Sequence, residues 1–507
     1  MGDEPMSNYS AKRRLVPEKW DYEADVVVVG YGGSGAAAAL TAQEFGAEVL
    51  ILEKSPVGGG NAAISMGQCS SPDNVEGAVR YLHAACGDTT PIEVIRAWAE
   101  EASKNRDWWD KMGIEYTDIG VHCEFPNLPG AESMRVIWAK GWGKALFLRL
   151  DQHVRERRIK ILFNSPAREL IQDPETGEIL GVIADRFGRS IYVKARRAVI
   201  LCTGGFEFNE EMKKQFLKCY PVKFFGWKYN TGDGIRMAQM VGADLWHMNN
   251  ICGGYCTCNP SDPTDAREVD PKANSYIWVD RYGRRFTAEK KDPQILHTGW
   301  ILFAEFDLKI PGYSRIPSYV IFDEKVRQAG PVGPIRPEDG GKFPMGRLIL
   351  PPELGGIPSW SMDNTKEIKM GWIKCANTIE ELALKIGDPL MKPEVLKATV
   401  ERWNYLCKKG LDQDFLRNPE TLSPIDEPPF YAISIYPGLV CTLGGPRRNE
   451  KAQILDPRGK PIPRLYAAGN LGSIYGQVYS VRGGNLGEAF AFGRIAGRNA
   501  AKEQPWE

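Results

Sequence analysis

An excess of charge of either sign is missing from this sequence. Its 64 Lys and Arg are balanced by 64 Asp and Glu, so no net field draws nucleic acid or an anionic membrane surface. A membrane-length apolar run is missing as well. The most apolar stretch, "VVVVGYGGSGAAAAL", is broken by glycines and too short to span a bilayer. No Cys-x-x-Cys-His occurs, so covalent haem is not indicated. Cys252, Cys256 and Cys258 cluster, but no second pair or His stands at zinc spacing, and no metal is expected. The eleven Cys are odd in number and scattered, the pattern of reduced thiols rather than of a disulfide framework. Arg13-Arg14 is followed by "LVPEKW" instead of an apolar export segment, and Met1-Gly2 lacks the Ser or Thr of a myristoylation signal. A cytoplasmic location is expected.

What is present begins at Val26. Val26 to Val29 is a continuous β-branched run, as in a parallel strand buried on both faces. Gly30-Tyr31-Gly32-Gly33-Ser34-Gly35 follows, then the helical stretch "AAAALTAQEFG" and a second apolar strand ending at Glu53. Strand, Gly-x-Gly-x-x-Gly, helix, strand and acid within one unit point to dinucleotide binding. Gly30 makes the tight turn, Gly32 lets a pyrophosphate approach the backbone, and Gly35 lets helix and strand pack closely. The helix N-terminus at Gly33 and Ser34 holds the phosphates, and Glu53 accepts hydrogen bonds from a ribose.

Three later segments choose between FAD and NAD. A second glycine-rich loop, "SPVGGGNAAISMGQ", follows Glu53 and Lys54 and supplies Gly59, Gly60, Asn61, Ser65 and Gly67. The strand of "ARRAVILCTGGFEFN" ends in Thr203-Gly204-Gly205, and that of "RLYAAGNLGS" ends in Gly469-Asn470. Together they resemble the FAD-binding pattern of glutathione-reductase-like flavoproteins, in which the chain returns to the cofactor from its far end. No second Gly-x-Gly-x-x-Gly follows a strand, so FAD is the expected cofactor and no separate NAD(P)H domain is expected.

The rest of the 507 residues leaves room for a second domain. "YIWVDRYGRRFTAEK" has strand, turn, strand texture, residues 330–358 are loop-like, and "TIEELALKIGD" and "KPEVLKATVERWNYLCKKG" have amphipathic helical spacing. The expected fold is α/β: a bipartite Rossmann-like FAD domain of glutathione-reductase type, at 20–251 and 429–507, with an inserted α+β capping domain at 252–428.

The order of "VVVVGYGGSGAAAAL", "GGGNAAISMG", "NTGDGIRMA", "YIWVDRYGRRF", "CTLGGP", "LDPRGKPIPRLYAAGN" and "GGNLGEAFAFGRIAG" resembles the fumarate reductase/3-ketosteroid dehydrogenase flavoprotein superfamily. The resemblance implies FAD under a mobile cap, and hydride transfer between flavin N5 and a substrate carbon. It adds Ala167, Asp233, Gly484, Asn485 and Leu486 to the expected FAD contacts. The fumarate reductase branch carries His-Thr-Met-Gly-Gly as a carboxylate anchor; here Cys441-Thr442-Leu443-Gly444-Gly445 stands in its place. The Arg that donates a proton in that branch would follow "RRFTAE", where this chain has "KKDPQ". Gly476-Gln477-Val478-Tyr479 matches the ketosteroid dehydrogenase branch.

The resemblance therefore implies a dehydrogenase of a cyclic or steroid-like ketone, or a reductase of the matching enone. The alternative is a reductase of an α,β-unsaturated carboxylate. Tyr479 is expected on the carbonyl side, Arg482 as the cation that polarises Tyr479 or the substrate carbonyl directly, and Tyr319 as the cap tyrosine, ahead of Tyr276 and Tyr282. The expected partners are a small-molecule ketone or enone and an external electron acceptor or donor; no nucleic acid or membrane partner is expected.

Overall fold

Val26 to Val29 is apolar at every position because both faces of its strand are covered. Strand β1 (Tyr22–Val29) pairs in parallel with β2 (Val49–Leu52) on one side and β3 (Arg189–Leu201) on the other. Val26 and Val28 enter one buried cluster with the alanines of helix α1 (Gly33–Glu44), while Val27 and Val29 enter a second. Burying each such side chain contributes about 1.5–3 kcal/mol. Strand Lys160–Leu162 extends the sheet beyond β2, and an antiparallel ribbon, Ala167–Gln172 with Ile179–Arg186, runs off β3.

The computed structural model describes residues 16–290, 295–342 and 346–506. The Arg13-Arg14 pair, Met1-Gly2 and residues 291–294 of "KKDPQ" lie outside them.

From β4 (Ile251–Asn259) the chain builds most of a second sheet, which has seven strands among the described residues and also takes in Lys223–Phe224. Helix α2 (Ile295–Thr298) packs on β4. The sheet centres on β5 (Phe430–Thr442), which pairs antiparallel with β4, with Ser318–Phe322 and with Ile373–Ala376. Both expected amphipathic helices form, at Ile379–Ile386 and Pro393–Lys409. The strand, turn, strand reading of 276–290 holds for its first half. Tyr276–Val279 is a strand, but Arg285 makes only an isolated bridge to Val279. The Asp280 carboxylate accepts from the N–H groups of Tyr282 and Arg284 and turns the chain, and the Arg285 side chain runs to Glu289 and Asp412.

The chain then returns to the first sheet. Strand β6 (Pro461–Ala467) joins β3 in parallel, and Gln453–Leu455 forms an antiparallel edge. Helix α3 (Gly484–Ala500) lies across α1. A Cβ on Gly497 would stand 2.4 Å from the Ala38 carbonyl oxygen, so only glycine permits that crossing. The chain is thus a mixed α/β protein whose first sheet is completed from the C-terminal end. Trp108 and Trp109 pack on Phe490 inside the core. No helix among the described residues is long and apolar enough to cross a membrane.

Candidate active site

The ends of β1, β2 and β3 and the N-termini of α1 and α3 frame one cleft. Gly30, Gly32, Gly33, Ser34, Glu53, Lys54, Gly60, Asn61, Ser65, Ala167, Thr203, Gly204, Asp233, Gly469, Asn470, Asn485 and Leu486 all line it. Gly35, Gly59, Gly67, Gly205 and Gly484 stand behind that wall and shape it. A Cβ on Gly35 would lie 2.0 Å from the Gly30 carbonyl oxygen, and the Gly59 N–H donates to the Tyr31 carbonyl at 2.7 Å. The Gly67 carbonyl accepts from Ala139 at 3.0 Å, Gly205 abuts Thr442, and Gly484 abuts the Tyr475 hydroxyl.

Each wall residue is held by its own partners. The Glu53 carboxylate accepts from the N–H groups of Tyr31 (2.7 Å) and Ser55 (2.8 Å), and burial pushes its carboxyl above the ordinary range despite them. Lys54 is paired with Asp233 at 2.7 Å. Asn61 and Asn230 both donate to Glu207 Oε1, and burial lifts the Glu207 carboxyl to about 7.

The cleft fits FAD on three grounds. The α1 N-terminus is opened by Gly32 and carries no side-chain cap, so its amides face the cleft for an anion, as a pyrophosphate requires. Thr203 Oγ1 and Asn485 Oδ1 are buried on the wall without a hydrogen-bond partner. The α3 N-terminus, at Gly483 and Gly484, is likewise uncapped by its own N-cap side chain. Ser165, Trp227, Tyr229, Asn230 and Cys441 also line the cleft. They follow no phosphate-loop pattern, and only the pairing of distant strands brings them there.

Beside the α3 N-terminus a second group of residues converges. The Tyr479 hydroxyl accepts from the Asn485 N–H at 3.2 Å and so takes one of the orphan donors of the helix. Burial, with the neighbouring Cys252 and Tyr475, pushes that hydroxyl well above its usual range, so it stays protonated. Arg482 does not depress it. Its guanidinium turns to Glu124 Oε1 (3.2 Å) and His122 Nε2 (2.6 Å). The same Glu124 oxygen bonds His297 Nδ1 at 2.6 Å, and the His297 ring meets the Tyr479 ring edge-on with centroids 5.3 Å apart. Burial works against the imidazolium, but Cys252 and Glu124 outweigh it and hold His297 above its ordinary value.

His297 was not among the expected site residues. Its position, eleven residues after the "RRF" of the resemblance, is the only sequence signal that could have found it. Tyr319 is placed elsewhere. Its hydroxyl donates to Asp388 at 2.9 Å, in a separate apolar cluster away from the cleft. Tyr276 accepts the Arg417 cation on its ring, and Tyr282 donates to Asp307.

Known proteins resemble this chain over nearly its full length. A vinyl phenol reductase of Lactiplantibacillus plantarum is 28% identical over 94% of this chain and 96% of its own. A 3-oxosteroid 1-dehydrogenase of Mycolicibacterium smegmatis is 27% identical over 94% and 97%. The structure of a 3-ketosteroid Δ1-dehydrogenase of Sterolibacterium denitrificans superposes with a TM-score of 0.79 at 24% identity, over 95% of this chain and 99% of that one. The family described as FAD binding domain matches residues 25–486, so that most of β1, both helix N-termini and the strands between them fall inside the match. The chain belongs to that FAD-binding family, as an FAD-dependent oxidoreductase acting on CH–CH groups.

Proposed function

We propose that the protein dehydrogenates a cyclic or steroid-like ketone beside its carbonyl, or reduces the matching enone. The observation that carries this reading is the Tyr479–His297–Glu124–Arg482 cluster, assembled at the α3 N-terminus from three distant parts of the chain. Bound FAD supplies the hydride acceptor or donor. The chain's own residues do the rest.

Tyr479 offers its proton to the substrate oxygen while Asn485 N–H donates to the Tyr479 oxygen, so the phenol becomes a stronger donor as charge develops there. His297, oriented by Glu124, gives a proton to the carbon beside the one that exchanges hydride, or takes it away in dehydrogenation. Arg482 positions Glu124 and leaves His122 an acceptor. Residues 252–428 act as the cap that carries His297 over the cleft, and 20–251 with 429–507 form the domain that holds the cofactor.

The relative named for vinyl phenol keeps the same logic open to a phenol, whose oxygen is conjugated with its alkene. An unsaturated carboxylate is less well served, because Cys441 stands where that branch has its anchoring His and Arg482 is tied to Glu124. The test is Tyr479→Phe, assayed with a dye acceptor or reduced dye against steroid ketones, cyclohexenones, vinylphenols and fumarate. Bound FAD should be retained and turnover of the preferred ketone or enone should fall about 10²–10³-fold, the usual effect of losing one oxyanion donor. Unchanged turnover would remove Tyr479 from the mechanism. Fumarate as the preferred substrate would overturn the ketone reading.

A further inference from the structure

Two buried thiols face one another at the edge of the cleft, and the mechanism above assigns neither a bond-making step. Cys252 on β4 and Cys441 on β5 are direct cross-strand partners. Opposite residues of an antiparallel pair project to the same side, with Cα atoms about 4.5–5.5 Å apart. That separation lies within the span a disulfide accepts, roughly 4.4–6.8 Å. A register shift at Val440, where the ladder passes from Cys441 to Leu439, puts Val440 and Cys441 side by side on the cleft wall.

The sulfur atoms are set differently from the neighbouring cysteines. Cys256 and Cys258 give their thiol hydrogens to backbone carbonyls, of Lys223 and Pro263. Cys441 Sγ instead accepts from two amides, Asn470 Nδ2 at 3.1 Å and Asn485 Nδ2 at 3.4 Å. Both asparagines also line the cleft. Cys252 lies on the strand against which α2 packs, next to His297. Burial alone would raise the Cys252 thiol, but hydrogen bonding from Cys441 and the nearby imidazole bring it below its ordinary value. Donors around one sulfur and a cation beside the other suit a thiol pair that gives up electrons, because the thiolate is the reactive form.

We propose that Cys252 and Cys441 form a reversible disulfide that exchanges an electron pair with FAD bound in the cleft. In the oxidising direction both S–H bonds break and one Sγ–Sγ bond forms. The two electrons and two protons released convert FAD to its dihydro form. In the reverse direction the dihydro form returns them, and the disulfide opens to two thiols. The protein then carries a thiol–disulfide redox activity besides hydride transfer, and stores a second electron pair beside the hydride site. The inference rests on FAD occupying the cleft, and the two fail separately, because a colourless preparation would sink that occupancy before any thiol is counted.

The test is an anaerobic dithionite titration of the air-oxidised, FAD-loaded protein, read at the flavin absorbance, with alkylation and peptide mapping under denaturing conditions before and after. The expected result is two electron pairs taken up per FAD, nine of the eleven cysteines alkylated in the oxidised protein, and a peptide pair linked through Cys252 and Cys441. All eleven should be alkylated after reduction. Cys252→Ser and Cys441→Ser should each take up one pair. Peptide mapping of the wild type stands even if a variant fails to fold. A yellow wild-type protein that takes up one pair and shows eleven free thiols throughout would overturn the proposal.

Discussion

His297 gives the reaction its expected pH dependence. Its imidazole is held above the ordinary value of 6.5 by Cys252 and Glu124 against the cost of burial. A raised value keeps the ring protonated through neutral pH, and the proton is lost as pH rises past it. In the reducing direction the protonated ring is the proposed donor, so kcat should be flat at low pH and fall on an alkaline limb centred above 6.5. In the dehydrogenating direction the neutral ring is the base, and the same limb should rise. His297→Gln should flatten the limb in both directions and cut turnover by about 10²–10⁴-fold. A limb that survives the substitution would assign the titration to another group. Tyr479 was singled out by the Gly476-Gln477-Val478-Tyr479 spacing of the resemblance, which is local in the sequence. His297 was not, because it reaches Glu124 across 173 positions and no local pattern records that contact.

Elements that carry their own signal were read correctly, and so was the strand that returns from the C-terminal end to join β3, while side-chain competition and close helix contacts were not. The strand, glycine turn, helix and strand from Tyr22 to Leu52 fit in one short unit, and α3 begins at the Gly484 where the helical pattern starts. The second strand expected before Lys290 fails because the Asp280 carboxylate captures two amides and forces a turn, a competition that propensity does not weigh. The α1–α3 crossing is equally invisible to a local reading, since it joins Ala38 to Gly497. Gly493 repeats the arrangement one turn earlier, where a Cβ would stand 2.8 Å from the Ser34 carbonyl oxygen. Gly497→Ala should therefore push the helices apart and cost about 1–3 kcal/mol in denaturant unfolding. Because the N-termini of both helices frame the cleft, FAD affinity should fall with it. A stable variant with unchanged FAD affinity would show that the crossing does not set the cleft.

At the scale of the whole molecule, the site exists only because the chain leaves its first sheet and comes back. The cleft wall joins residues near 30, 60, 203, 441 and 485, and the Tyr479 group beside it adds Glu124 and His297. Two of the wall residues end in buried polar atoms with no protein partner, Thr203 Oγ1 and Asn485 Oδ1. Such groups are costly to bury unmet, about 1–3 kcal/mol each. A cofactor lying along the cleft meets them and ties the two ends of the chain through contacts that neither end can make alone. Its binding free energy then becomes folding free energy, about 4 kcal/mol when FAD is a thousandfold above its dissociation constant. Stripping FAD should lower Tm by several degrees, and added FAD should restore it in a concentration-dependent way. Hydrogen exchange should rise together in three separate places: the α1 N-terminus, the residue 200–205 turn and the 479–486 segment. If the stripped protein melts at the same temperature, or if only the α1 N-terminus loosens, the cofactor is held by one end of the chain, and the return of β6 and α3 to the first sheet serves packing alone.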